Sequence, residues 1–225
     1  MSPRYDFVTF DCYGTLIDWE SGIGGVLAAD AAASGRTVTP RECVEVYAEQ
    51  ESQVEAEGFR RYRDVLAESS RRTARRLGWE IPPDRASLLA RSLPSWQPFP
   101  DTNASLERLA EAGVRLGILS NVDEDLIAAT RRHFTVPFEL VVTAEAVRSY
   151  KPGHAHFLAA RERIGKARWL HAAQSSFHDV VPAKALGIPV AWINRKSQIA
   201  GSGGAPTGEF RDLAAFASWI VNPDA

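Results

Sequence analysis

The chain opens with a short apolar run, Phe7-Val8-Thr9-Phe10, that stops at Asp11 and reaches a turn at Gly14. Strand formers that end on a carboxylate and a glycine turn predict a β-strand with a ligand site at its carboxyl end. From residue 18 to 96 no convincing strand pattern appears. Phe59, Tyr62, Leu66, Ser69, Thr73 and Leu77 recur at three- and four-residue steps, the spacing of one helix face. Beyond Pro100 the pattern changes to alternation. Leu106, Leu109 and Ala110 mark a helix ended by Gly113. Strands are predicted at 114–119, 138–143, 169–173 and 190–194. Helices are predicted at 123–133, 154–164, 179–186 and 213–221, with a loop at 201–207.

Repeated strand–helix units predict an α/β fold with a doubly wound, mainly parallel sheet. The helical block after the first strand reads as an inserted helical cap domain. The expected division is a core of residues 1–16 and 97–225 and a cap of residues 17–96. A chain of 225 residues is long enough for this arrangement without disulfide or metal staples.

Charge changes the picture only locally. Glutamates crowd residues 41–57 and arginines crowd residues 60–76, which predicts two antiparallel helices with solvated, paired faces. The net charge of −2 argues against nucleic acid or an anionic membrane as a partner. No apolar run approaches the ~18 residues of a membrane span, and the first ten residues show no secretory signal. Cys12 and Cys43 are too few for a disulfide framework, so a reduced, cytoplasmic protein is expected. Apolar faces in the helical block leave room for a homodimer.

Candidate chemistry gathers at the strand ends. The first gives Asp11-Cys12-Tyr13-Gly14-Thr15, the second Ser120-Asn121, the third leads to Tyr150-Lys151-Pro152, and the fourth gives Gln174-Ser175-Ser176-Phe177-His178-Asp179. Any one of these has a plain reading as a helix cap or loop residue. Together they resemble the haloacid dehalogenase superfamily over nearly the whole chain. Phosphatases of that superfamily carry DxDGT, where the second Asp is the general acid/base. Here that position is Tyr13, so the chain resembles the L-2-haloacid dehalogenase branch, whose motif is DxYGTL. Ile193-Asn194-Arg195 is also similar to that branch.

The resemblance implies a hydrolase that works without a cofactor on a small-molecule carboxylic acid. Asp11 is the expected nucleophile. Lys151 pairs with it, Thr15 holds the loop, and Asp179 orients the hydrolytic water or Lys151. Cys12, Tyr13, Ser120, Asn121, Ser175, Ser176 and His178 are the expected substrate-binding residues. Loss of the second Asp suits a leaving halide, which departs without a proton, whereas a phosphatase must protonate an alkoxide. The alternative, a Mg²⁺-dependent phosphatase, would place the ion on Asp11, the Tyr13 carbonyl and Asp179. A further alternative is a catalytically decayed interaction module.

The chain departs from the branch at two places. The branch's halide-binding Arg on an early cap helix aligns with Ala48, beside Glu49. Arg41, Arg60, Arg61 or Arg63 would have to replace it. The branch's Asn before the last Asp is Ser176, its aromatic is His178, and its pocket Tyr is Phe157. His178 is either a solvated helix-start residue or an acid/base group held near neutrality by Asp179.

Overall fold

The computed structural model describes residues 2–199 and 205–222; residues 201–204 of the expected loop lie outside them. In chain order the elements are β1 (Phe7–Phe10), α1 (Trp19–Ala33), α2 (Pro40–Ala56), α3 (Tyr62–Leu77), α4 (Leu88–Ser92), α5 (Thr102–Glu111), β2 (Arg115–Ser120), α6 (Glu124–Thr130), β3 (Leu140–Thr143), α7 (Ala144–Val147), α8 (Ala155–Ile164), β4 (Trp169–Ala173), α9 (Val181–Ala185), β5 (Val190–Ile193), β6 (Gly208–Phe210) and α10 (Leu213–Val221). The residues cluster into two compact units. One comprises residues 1–17, 98–121 and 132–225, and the other residues 18–97 and 122–131.

The first unit is an α/β layer structure. Its six strands are all parallel, in the order β3-β2-β1-β4-β5-β6. Strands covered on both faces read as continuous apolar runs, and β1, β4 and β5 are buried at every residue. The period of two assigns the faces. Phe7 packs with Phe157, Ala160 and Ile164 of α8 and Ala183 of α9. The adjacent face sends Phe10 edge-on to Phe216 of α10, with centroids 6.0 Å apart, and α10 packs on α5. The chain runs from β1 through β2 to β3, then returns to pair β4 on the other side of β1. This reversal opens a crevice at the carboxyl ends of the strands, where α/β proteins bind ligands.

Three differences from the sequence reading have local causes. β6, a three-residue edge strand carrying Gly208 and Glu209, has no apolar pattern to announce it. The helix expected at 179–186 starts earlier, as a π-turn over Ser176–Val180 that feeds α9. Ser175 caps the turn by accepting the His178 N–H. The strand expected at 138–143 begins only at Leu140.

The second unit is helical. α2 starts with a capping box in which Thr39 and Glu42 satisfy each other's backbone N–H groups. α3 carries its apolar face as Tyr62, Val65, Leu66, Ser69, Thr73 and Ala74, and ends at Gly78 with φ 94°. The charged blocks pair largely at short range: Arg41 with Glu45, Arg72 with Glu68 and with Glu57, and Arg60 with Glu57. All of these reach solvent, where ion pairs are screened and add little to stability. No helix among the described residues is long and apolar enough to cross a membrane.

α1 contains three glycines, which weaken its sequence signal, and two of them test its packing. A Cβ on Gly22 would sit 2.5 Å from the Trp96 ring, whereas one on Gly25 would meet nothing within 4 Å. Gly25→Ala should therefore stabilise the protein by about 0.5–1 kcal/mol through helix propensity. Gly22→Ala should destabilise it, because overpacking costs about 1–3 kcal/mol. Urea unfolding of the two variants beside the parent chain checks the opposite signs.

Candidate active site

Asp11 leaves the sheet just past β1, with its N–H still bonded to Ala172 O on β4 at 3.1 Å. Gly14 has φ 98°, a region that a residue with a Cβ enters only under strain. That conformation folds the loop back, so the Leu16 and Ile17 N–H groups both donate to the Cys12 carbonyl at 2.8 and 3.0 Å. Arg195 donates to the Thr15 carbonyl at 3.0 Å, pairs with Asp101, and lies 4.0 Å over the Phe99 ring. The Thr15 hydroxyl donates to Asp11 Oδ2 at 2.9 Å and accepts the Gln174 N–H at 2.9 Å, joining the loop to the end of β4.

Lys151 arrives from the segment after β3, with 1% of its side chain exposed. Its Nζ donates to Asp11 Oδ1 at 2.9 Å, Leu119 O at 2.9 Å and Asp179 Oδ1 at 2.6 Å. An ammonium has three protons, so each is used. Asn121 fixes the backbone behind it: its Oδ1 accepts the Lys151 N–H at 2.7 Å, and its Nδ2 donates to Lys151 O at 3.0 Å. Asn121 thus holds the lysine loop from the end of β2.

The two carboxylates titrate apart. Burial pushes the Asp11 pKa up; Lys151 pulls against this, Asp179 adds to it, and the net direction is up. Burial also opposes ionisation of Asp179, but Lys151 and the His171 hydrogen bond outweigh it and hold its carboxyl well below the usual range. Burial would lower the Lys151 pKa, yet its two carboxylate partners raise it above the ordinary value. The ammonium therefore stays charged, and one carboxylate is more firmly ionised than the other.

Ser120 ends β2 with 1% exposure, and its Oγ has no hydrogen-bond partner within the protein. Its carbonyl accepts from His156 Nε2 at 3.2 Å. A carbonyl only accepts, so Nε2 carries the proton and Nδ1 is the bare nitrogen. Burial, followed by the nearby Lys151, lowers the His156 pKa to about 3, so the ring is neutral. Asp179 Oδ2 is likewise buried without a protein partner. Buried polar atoms are normally bonded, so these two, side by side with the Lys151 cluster, are candidates to bond a substrate or water.

The remaining expected residues surround this cluster. Cys12 has no exposed surface and its side chain belongs to the interior. Tyr13 is half-buried in the loop. Ser175 caps the π-turn, Ser176 begins it, and Phe157 lies in the α8 packing layer. Burial lowers the His178 pKa below its ordinary value, and the Asp179 charge only partly opposes this. Its Nδ1 lies 3.1 Å from Ser175 Oγ.

The candidates for the missing arginine are all engaged inside the helical unit. Arg41 pairs with Glu45 and Arg60 with Glu57, while Arg61 and Arg63 both pair with Asp123 and Asp125. On α2, Ala48 is exposed, and one turn further Glu51 accepts from the Tyr47 and Tyr62 hydroxyls at 3.0 and 2.8 Å.

Sequence reasoning missed His171 and Thr9. They are register partners on β4 and β1, and His171 Nε2 lies 3.0 Å from Asp179 Oδ1. The available signal was a polar residue inside each of two otherwise apolar buried strands.

Most of the carboxylate oxygens expected to hold Mg²⁺ in the alternative reading are engaged by protein donors, while Asp179 Oδ2 is not. Asp11 Oδ1, Asp11 Oδ2 and Asp179 Oδ1 already accept from Lys151 or Thr15. Among the described residues no three His, Cys, Asp or Glu side chains converge as metal ligands.

Comparison with known proteins agrees with this arrangement. The chain is 28% identical over 222 residues to a Pseudomonas putida (S)-2-haloacid dehalogenase, covering 96% of this chain and 97% of the relative. It is 28% identical over 202 residues to the (S)-2-haloacid dehalogenase of Pseudomonas sp. (strain YL), covering 85% of this chain and 84% of the relative. Its fold matches the L-2-haloacid dehalogenase from Xanthobacter autotrophicus solved with chloropropionic acid covalently bound, with a TM-score of 0.81 and 23% identity over 96% of this chain and 98% of that one. The haloacid dehalogenase-like hydrolase family model matches residues 5–174, and the chain belongs to that family.

Proposed function

We propose that this hydrolase displaces halide from a small (S)-2-haloacid through an ester on Asp11. The observation that carries the reading is the Asp11–Lys151–Asp179 cluster, with Tyr13 where a proton-donating carboxyl would otherwise stand. Its relatives named as (S)-2-haloacid dehalogenases support the substrate class.

In the first step Asp11 attacks the halogen-bearing carbon opposite the halide. A C–O bond forms as the carbon–halogen bond breaks, and halide leaves with the bonding pair. Lys151 and Thr15 hold the attacking carboxylate in place. The Ser120 hydroxyl and nearby backbone N–H groups receive the substrate carboxylate, with Asn121, Ser175 and Ser176 shaping the loops around it, Tyr13 forming a wall and Cys12 packing beneath. In the second step water adds to the ester carbonyl of Asp11 and gives a proton to Asp179. Collapse expels the 2-hydroxy acid oxygen, which takes that proton, and Asp11 regains its carboxylate as the remaining proton leaves. The products are a 2-hydroxy acid of inverted configuration, halide and one proton. No step requires a metal ion or organic cofactor. The working protein is proposed to be cytoplasmic, with a homodimer compatible with its apolar helix faces.

Halide release from chloroacetate and L-2-chloropropionate should survive EDTA, and the second substrate should give D-lactate. Phosphate release from a monoester that depends on Mg²⁺, with no halide from either acid, would favour the phosphatase and sink this reading. Asp11→Asn should abolish turnover under both.

A single turnover in ¹⁸O-labelled water should place label in Asp11, read by peptide mass. Label confined to the hydroxy acid would mean direct attack of water on the substrate.

The rate of the first chemical step should fall as pH drops through the Asp11 pKa, because only the carboxylate attacks. Burial raises that pKa, so the midpoint should lie above the ordinary ~3.9 of an aspartate. Rapid-quench halide bursts across acid pH measure it, and a midpoint at or below 3.9 would contradict the assignment.

A further inference from the structure

His171 is fully buried on β4, and both of its ring nitrogens are occupied. Nδ1 lies 2.9 Å from Thr9 Oγ1 and Nε2 lies 3.0 Å from Asp179 Oδ1. Trp169 Nε1 donates to the same Thr9 oxygen at 2.8 Å. The Asp179 carboxylate only accepts, so His171 Nε2 carries a proton and donates it to Asp179 Oδ1. Phe157 closes the other side of the ring, edge-on at 5.3 Å.

Asp179 Oδ1 consequently receives two donors from different parts of the fold, Nε2 of His171 and Nζ of Lys151, while Oδ2 is buried with no partner in the protein. With Lys151 alone, the carboxylate is free to turn about its χ2 axis. With a second donor fixed to β4, its plane and the identity of its free oxygen are set. We propose that His171 is a positioning residue for ester hydrolysis, holding Asp179 Oδ1 so that Oδ2 is the oxygen that takes the proton from water. His171 touches neither substrate nor nucleophile and acts only through Asp179. This inference rests on the aspartyl-ester reaction proposed above and concerns its second step alone.

The two half-reactions separate the role from simple structural support. In His171→Leu the halide burst from L-2-chloropropionate should keep its rate, while steady-state turnover falls about tenfold or more, up to the roughly 10²–10⁴-fold that a general base supplies. The ester on Asp11 should then accumulate and appear in the intact mass of quenched enzyme. His171→Gln retains a side-chain N–H donor and should recover most of the turnover. Equal loss of burst and turnover, absence of the accumulated ester, or a Gln variant no better than Leu would overturn the proposal.

A second measurement does not depend on any variant folding. Nitrogen-15 NMR of the unmodified protein should show a proton on His171 Nε2. A bare Nε2, with the ring proton on Nδ1 alone, would refute the hydrogen-bond assignment. If the unmodified protein releases no halide from any 2-haloacid, the reaction is wrong. The tautomer spectrum then decides the Asp179 contact by itself.

Discussion

The Lys151 ammonium is the constraint on which the site depends. Burying an ion is costly unless its hydrogen bonds are met, and here three protons meet three oxygens from the loop after β1, the end of β2 and the turn after β4. The arrangement works in both directions. Two carboxylates would repel each other in a low dielectric without the cation, and the cation could not enter the interior without them. Asn121 holds the lysine backbone by two reciprocal hydrogen bonds, so the side chain is aimed before any substrate arrives. Geometry of this kind serves catalysis because its ordering cost is met in folding.

One cation shared by two carboxylates also divides their chemistry. Asp179 takes the shorter contact to Lys151, 2.6 Å against 2.9 Å, and has the additional His171 donor. It is accordingly the firmly ionised member. Asp11 is raised by burial and by its neighbour's charge, which leaves it the more nucleophilic carboxylate once deprotonated. Environments that push two like groups apart are how one site obtains two roles. Lys151 sets one positive charge against two carboxylates, so dipoles such as the Ser120 hydroxyl are the better receivers of an anionic substrate.

Much of this was legible in the sequence because the fold converts chain order into position. Asp11, Ser120 and the Gln174–Asp179 run all follow apolar strand patterns. Parallel strands bring their carboxyl ends to one edge, so residues 168 apart in sequence meet there without any long-range signal. Thr9 and His171 escaped notice for the complementary reason. They lie inside strands, where a single polar residue gains meaning only when register sets it beside another, as the Thr9–His171 pairing does. Tautomers and free lone pairs are further removed, since they follow from distances of about 3 Å. The arginine question was equally opaque: charge blocks show that cations are present, but the pairing of Arg61 and Arg63 with Asp123 and Asp125 depends on how α3 meets the turn before α6.

The chemical identity of the leaving group rests on position 13 more than on the cluster itself. An aspartate held by a lysine and a threonine is a competent nucleophile toward carbon or phosphorus alike. What distinguishes the two reactions is the group that the aspartate displaces. An alkoxide is a strong base and departs with a proton from a nearby acid, whereas halide needs none. A phenol, with an ordinary pKa of about 10, is a weaker proton donor than a carboxyl group. A second carboxylate at position 13 would also repel the departing anion across a short, poorly screened distance. Phe157 packs inside the core, and Ser176 and His178 lie in the π-turn that leads into α9, so these departures leave the bonds among Asp11, Lys151 and Asp179 in place. Substrate range and reaction type are thus set by different residues. The cluster and Tyr13 govern how the bond breaks, and the residues around them govern which acid is held there.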